Sequence, residues 1–120
     1  MSFNQKEYIR GYQQRPSYKA YQSRFQREYR KKHPEKIRRN RLKMSYGLSL
    51  ESYHAMLMAQ DNKCAICLST FKKTPHVDHC HETKKVRGLL CSNCNTGIGY
   101  FKENILILRS AEDYLERWGK

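Results

Sequence analysis

A seven-residue segment near the middle of the chain concentrates groups that can handle a metal ion and a proton. It reads HVDHCHE over residues 76–82, with three histidines and two carboxylates. A carboxylate and an amide oxygen are hard ligands that suit Mg²⁺, and a neighbouring histidine can take a proton from an attacking water. Asp78, His79 and the later Asn95 therefore form a candidate divalent-metal site with a general base. A zinc site at Asp78 and His79 is the alternative.

Two C-x-x-C pairs flank this segment. Cys64 and Cys67 precede it, and Cys91 and Cys94 follow after an interval of 23 residues. Four thiolates complete a tetrahedral Zn²⁺, and a two-residue gap lets both members of a pair reach one ion. Disulfides or thioredoxin-like redox motifs are the alternatives, but a redox motif needs a βαβ context that this sequence lacks. The pattern predicts one structural zinc that stabilises a small core, and it leaves Cys80 over.

The stretch from Cys64 to Gly99 resembles a known family. Its motifs DHCHE, KVRGLLC and CNTG are similar to those of the phage recombination endonuclease VII family, within the HNH or ββα-metal nucleases. The resemblance implies that the four paired cysteines hold the structural zinc. It also implies that Asp78 and Asn95 bind a catalytic Mg²⁺ or Mn²⁺, and that His79 is the general base.

The same resemblance places two further histidines, His76 and His81, near the scissile phosphate. A supporting role or an exposed strand face is the alternative for both. Lys84 departs from the family pattern, which usually has a turn glycine at this position. The first 45 residues do not match the founding member's architecture, so its DNA selectivity and its intertwined dimer are not implied.

The elements that must position these residues are predicted to form an α+β, mostly helical fold. Strands over 76–79 and 86–90 would make a hairpin, and the second cysteine pair would open a short helix that carries Asn95. Ser49 and Ser17 are predicted helix caps, and Pro34 is expected near the first position of its helix. Further helices are predicted at about 4–14, 17–32, 35–45, 50–60 and 105–118. The whole would be a ββα-metal (HNH) core stapled by zinc, with a basic helical N-terminal extension.

Charge divides the chain into two parts. The formal net charge is +13, and residues 1–45 hold 14 Lys/Arg against three acids, a net +11. Aromatic residues interleave with this charge, which is typical of nucleic-acid binding. A solvated helix pair is the alternative. We therefore expect a DNA-binding extension over 1–45 and a nuclease domain over 46–120. The candidate phosphate contacts are Arg30, Lys31, Lys32, Arg38, Arg39, Arg41, Lys85 and Arg87.

The predicted function is metal-dependent hydrolysis of DNA to 5′-phosphate and 3′-hydroxyl ends, on branched or junction DNA as the resemblance implies. The alternatives are a sequence-specific restriction, homing or nicking HNH enzyme, and a zinc-stapled DNA-binding protein without catalysis. Two strand cuts favour a homodimer, with a monomeric nicking enzyme as the alternative.

No apolar run could span a membrane and no signal peptide is evident. We expect an intracellular, cytoplasmic protein encoded by a phage or prophage, with no membrane partner and no organic cofactor.

Overall fold

The computed structural model describes residues 4–119, which form six helices and one antiparallel hairpin. The elements in chain order are α1 (Gln5–Gln14), α2 (Pro16–Lys32), α3 (Pro34–Tyr46), α4 (Leu50–Ala59), β1 (His76–His79), β2 (Val86–Leu90), α5 (Ser92–Tyr100) and α6 (Ile105–Arg117). The predicted α+β class is confirmed, and the chain falls into two compact units, Met1–Arg41 and Leu42–Lys120.

The predicted elements are all present, with boundaries within one residue of those expected. Ser49 caps α4 by accepting the N–H of Ser52, and Pro34 is the first residue of α3. The prediction that Ser17 caps α2 is wrong. That helix begins at Pro16, one residue earlier, because the fixed φ of proline suits the first helical position.

The first unit is held by aromatic contacts rather than by a core. None of residues 4–41 is buried. The rings of Tyr12 in α1 and Tyr18 in α2 meet edge to face at 5.3 Å. Along α2, Tyr21, Phe25 and Tyr29 stack in sequence at 6.4 and 6.3 Å. The aromatic residues therefore form a row on one side of an exposed, basic helix.

The second unit contains the hydrophobic core. Leu42, Leu50, Tyr53 and Leu89 are buried together, and they come from α3, α4 and β2. Gly47 turns the chain between α3 and α4 with a φ of 62°, a left-handed conformation that glycine adopts without steric cost. The core therefore joins the last turns of α3 to the helix and strand that precede the second cysteine pair.

Gln60 fixes β2 from the side. Its Oε1 accepts the Leu89 N–H at 2.9 Å, and its Nε2 donates to the Leu89 carbonyl at 2.9 Å and to the Lys63 carbonyl at 2.8 Å. The side-chain amide thus satisfies both backbone groups of a buried strand residue, as a neighbouring strand would. The loop that carries the first cysteine pair is thereby tied to β2.

The hairpin contains an irregularity at the candidate site. Asp78 pairs with Gly88 whereas His79 pairs with Val86, which leaves Arg87 as an extra residue on β2. Such a bulge redirects the side chain of the extra residue. At the hairpin turn, Lys84 has a φ of 60°, and its N–H donates to the Cys80 carbonyl at 2.8 Å.

Helices α5 and α6 complete the second unit. The thiol of Cys91 caps α5 and Asn104 caps α6, each accepting backbone N–H groups of the first turn. Helix α6 leaves several large apolar side chains exposed, among them Leu106 and Tyr114, and Trp118 is exposed just beyond its end. Within residues 4–119, no helix is both long and apolar enough to cross a membrane.

Candidate functional site

The two cysteine pairs meet at one point. Cys64 and Cys67 lie in a loop closed by a bridge between Lys63 and Thr70, while Cys91 and Cys94 begin α5. The four sulfur atoms all lie within 4.8 Å of one another, and the Sγ atoms of Cys67 and Cys91 are 3.8 Å apart. A ZnS₄ tetrahedron with bonds of about 2.3 Å has edges of about 3.8 Å. The cluster therefore fits a single zinc ion.

The electrostatics of the cluster also favour a cation. Burial opposes ionisation of the Cys64 thiol, but N–H groups, that of Cys91 foremost, outweigh it and lower the pKa to about 6. The Cys91 N–H lies 3.4 Å from the Cys64 sulfur. Burial and the neighbouring thiols raise the pKa of Cys94 to about 12. The four thiols cannot all ionise side by side without a positive ion between them, and Zn²⁺ is the ion that a four-thiolate set selects.

The second site lies on the hairpin, around Asp78. The Asp78 side chain is only 12% exposed, and its two oxygens accept hydrogen bonds from Arg87, at 2.7 Å from Nε and 2.8 Å from Nη2. This two-pronged geometry is the strong form of an arginine–carboxylate pair. The bulge at Arg87 makes it possible, because the extra residue can reach across to the strand that carries Asp78.

Glu103 extends this pair into a network. Its Oε2 lies 3.1 Å from Nη1 of Arg87, and its Oε1 lies 3.2 Å from Nε2 of His81. The hydrogen bonds that Arg87 donates, first to Asp78 and then to Glu103, raise the pKa of Arg87, so the guanidinium stays charged. Glu103 is in the turn between α5 and α6, and its φ of 53° is left-handed. The turn therefore holds a strained residue against the hairpin.

His79 packs close to two other rings. Its imidazole centroid lies 5.4 Å from the ring of Tyr46 and 5.2 Å from that of His81. His76 is exposed at the start of β1, opposite Leu90. The hairpin thus brings His79 and His81 together, while His76 stands at the far end of the strand.

Asn95 approaches from the helix side. It lies in α5, half-buried, and its N–H donates to the Cys91 carbonyl at 3.0 Å. Helix α5 packs against β1, the strand of Asp78 and His79. The three candidate residues therefore lie on adjoining elements, with the cysteine cluster at the start of the helix that supplies Asn95.

An open cleft of about 340 Å³ runs beside this network. It is lined by the end of the hairpin and by the α5–α6 turn, through Cys80, His81, Glu82, Gly99, Lys102 and Glu103. Cys80 is thus outside the zinc cluster, as predicted from its position. Sequence reasoning missed Glu103, because no local pattern connects the turn after α5 with the hairpin. Gly88 was a usable signal for the bulge, since glycine inside a strand often marks one.

The predicted DNA contacts lie on three separate stretches. Arg30 and Lys31 line a shallow depression along α2, with Lys32 at the end of that helix. Arg39 and Arg41 are exposed on α3, where Arg38 is half-buried. Lys85 is exposed on the hairpin, and Arg87 is engaged by Asp78 and Glu103. Their contacts with DNA stay predictions.

Comparison with known proteins gives a family match and two phage relatives. Residues 39–117 match the family described as recombination endonuclease VII. The Gene 59 protein of Mycobacterium phage D29 is 40% identical over 80 residues, which cover 64% of this chain and 48% of that protein. The Gene 59 protein of Mycobacterium phage L5 is 34% identical over 92 residues, covering 74% and 56% respectively. The chain thus spans about half the length of these relatives. No solved structure matches it significantly.

Proposed function

This chain belongs to the recombination endonuclease VII family, and on that premise we propose that it is a metal-dependent HNH-type DNA endonuclease that cuts branched DNA. The family supports a nuclease with DNA as its substrate. The observation that carries the finer proposal is the placement of Asp78, His79 and Asn95 on β1 and the adjoining α5, beside a four-cysteine cluster.

The donor set fits two different metals. The four thiols suit one structural zinc per chain, and the oxygens of Asp78 and Asn95 suit Mg²⁺ or Mn²⁺. Arg87 occupies both Asp78 oxygens, but a carboxylate offers about four lone-pair sites, so the pair with Arg87 leaves capacity for a metal. When bound, such an ion stabilises negative charge on the phosphate and on the leaving oxygen.

The protein's own residues would divide the remaining work. His79, which packs close to Tyr46 and His81, would take the proton from the attacking water as it approaches phosphorus in line with the leaving 3′-oxygen. His81 lines the open cleft and would face the scissile phosphate. His76, at the start of β1, would also lie near the DNA. Lys85 would contact a flanking phosphate. The products would carry a 5′-phosphate and a 3′-hydroxyl.

The basic N-terminal helices would supply the main binding surface for DNA. Arg30, Lys31 and Lys32 end α2, beside its aromatic row, and α3 adds Arg38, Arg39 and Arg41. Positive side chains release counterions from phosphates, and exposed rings can lie against bases or sugars. A basic extension over about 1–45 that holds DNA and a domain over 46–120 that cuts it remain part of this proposal.

A Mg²⁺-dependent cleavage assay tests the proposal. It compares a four-way junction, a linear duplex made of the same arm sequences, and supercoiled plasmid, with Asp78→Asn as the inactive reference. Preferential cutting of the junction supports the proposal. Cutting of the duplex at one sequence supports a restriction, homing or nicking enzyme instead. Binding without cleavage by the zinc-loaded protein would contradict an enzymatic role.

The oligomeric state is measured separately. Because resolving a junction needs two strand cuts, we propose that the protein acts on the junction as a symmetric homodimer. Light scattering on the zinc-loaded chain, with and without junction DNA, measures its mass directly. A single chain on the junction that makes only nicks would contradict the dimer and leave the cleavage chemistry intact.

A further inference from the structure

One carboxylate touches both halves of the candidate site. Glu103 reaches His81 with Oε1 and Arg87 with Oε2. His81 packs on His79, the candidate base, and Arg87 holds Asp78, the candidate metal ligand. Glu103 comes from the turn between α5 and α6, so it links the hairpin to the far end of the helix that carries Asn95.

The contact between Glu103 and His81 favours one tautomer of the imidazole. Nε2 of His81 lies 3.2 Å from Oε1 of Glu103, and because an ionised carboxylate only accepts hydrogen bonds, a hydrogen on Nε2 is favoured over a lone pair facing the carboxylate. When the imidazole is neutral, its Nδ1 is left as the acceptor. Glu103 therefore selects the tautomer and the ring orientation of His81, whose side chain is otherwise 73% exposed.

The backbone indicates that this placement is imposed. Lys102 and Glu103 both have left-handed φ values, 52° and 53°. Residues other than glycine adopt this conformation at an energetic cost, and they are held in it where the surrounding structure requires it. Here the N–H of Glu103 donates to the Ile98 carbonyl at 2.9 Å. The Glu103 side chain faces the hairpin and is only 24% exposed to solvent.

We infer that Glu103 is a positioning residue of the nuclease site, which orients His81 against His79 and Arg87 against Asp78. The inference rests on the proposed function for its catalytic consequence, but its structural content stands by itself. A carboxylate behind a functional histidine typically changes activity or metal affinity by about 10–100-fold when it is removed. Glu103 would act through its two partners and would not touch DNA or metal.

The first test is spectroscopic and needs no cleavage. Imidazole ¹⁵N spectra of the zinc-loaded chain at about pH 8, where an ordinary histidine is neutral, should show His81 as the Nε2–H tautomer. Glu103→Ala should shift His81 toward a tautomer mixture and move the ring signals of His79. Glu82→Ala is the matched control, because it removes a charge from the same cleft and should leave both histidines unchanged. An unchanged His81 in Glu103→Ala would overturn the inference.

The second test is kinetic. Glu103→Ala should lower kcat by about 10–100-fold with KM for DNA unchanged, and Glu103→Gln, which keeps one acceptor oxygen, should lose less. The combined Glu103→Ala/His81→Ala variant should lose less than the product of the two single losses, since residues in one network are not additive. A full product would overturn action through His81.

The two proposals fail in different ways. If the wild type cuts no DNA, the nuclease assignment fails while the ¹⁵N spectra still decide the role of Glu103. If Glu103→Ala loses zinc or fold, the spectra and kinetics of Glu103→Gln decide it, because that variant keeps the volume of the side chain. A Glu103→Gln variant identical to the wild type in both readouts would then overturn the inference.

Discussion

The two compact units of this chain are stabilised by different means. In the first, residues 4–41 bury no side chain, and ring contacts such as Tyr12–Tyr18 join neighbouring helices. In the second, Leu42, Tyr53 and Leu89 are buried, four thiols converge, and Gln60 ties the loop after α4 to β2. Helices without packing are marginal in water. The first unit therefore has little packing of its own to stabilise its helices, whereas the second has a core that fixes its geometry.

The distribution of charge follows the same division. The excess positive charge lies in residues 1–45, where few side chains are committed to a core. Beyond them, basic and acidic residues are nearly balanced, and several of them face each other, as Arg87 faces Asp78 and Glu103. The excess of positive charge and the charged residues that pair with one another thus lie in different parts of the chain.

Loss of zinc is expected to have the largest effect, and to affect the second unit alone. Cys64→Ser or Cys94→Ser should unfold the second unit, since its core is small and zinc supplies about 10–16 kcal/mol in peptide-sized sites. Amide exchange of Leu89, whose N–H donates to Gln60, measures this directly. Cys80→Ser is the matched control and should keep zinc and protection. A folded, purified protein without bound zinc would contradict the four-cysteine site.

The next largest effect is expected at the hairpin. Asp78→Ala, His79→Ala and Asn95→Ala should each abolish DNA cleavage, with His79→Ala losing at least the factor of about 10²–10⁴ that a general base supplies. Zinc content and circular dichroism should stay at wild-type values, because none of the three belongs to the thiol cluster. His54→Ala, on the exposed side of α4, is the matched control. Retention of most activity by His79→Ala at neutral pH would contradict its role as base.

The sequence was enough to predict features that depend on local patterns. Proline and serine at helix starts and paired cysteines each have a short-range physical cause, and the predicted helix and strand boundaries lie within one residue of those observed. The cap at Ser17 was wrong because Pro16 competes for the same helix start. A local pattern thus predicts the start of a helix when a single residue near that start favours one position.

Contacts between distant residues could not be predicted in this way. The Gln60–Leu89 tie spans 29 positions and the Arg87–Glu103 pair spans 16. Both depend on where the core places whole elements, and on a bulge that shifts Arg87 by one register position. The residues of the candidate site could be named from sequence, whereas the residues that orient them became visible only in the fold.

A truncation measures how much the first unit contributes to DNA binding. Because Leu42 and Tyr46 pack into the core of the second unit, the cut belongs after Arg41. Deleting residues 1–41 should weaken DNA binding and flatten the plot of log K against log salt by about 0.9 for each phosphate that the shortened chain no longer neutralises. Zinc content should stay unchanged, and cleavage should survive at low salt and high enzyme concentration.

A graded variant accompanies the truncation. Replacing Arg38, Arg39 and Arg41 by glutamine in the full chain should flatten the salt dependence by a smaller amount, since most of the basic residues of the first unit remain. Fluorescence anisotropy on one duplex at several salt concentrations measures both slopes. An unchanged slope in the truncated protein would mean that the first unit is a solvated appendage.

The smallest effect is expected at the hairpin turn. A glycine substitution there tests the backbone conformation of Lys84. Lys84 has a left-handed φ of 60°, which costs an L-residue about 1–2 kcal/mol, whereas glycine adopts it freely but loses about 0.5–1 kcal/mol more backbone entropy on folding. Lys84→Gly should therefore stabilise the zinc-loaded chain by about 0–1.5 kcal/mol, seen as a higher urea midpoint. Lys85→Gly removes the same charge next door, where the backbone φ is negative, and should instead destabilise it. Equal losses in both variants would contradict the left-handed turn.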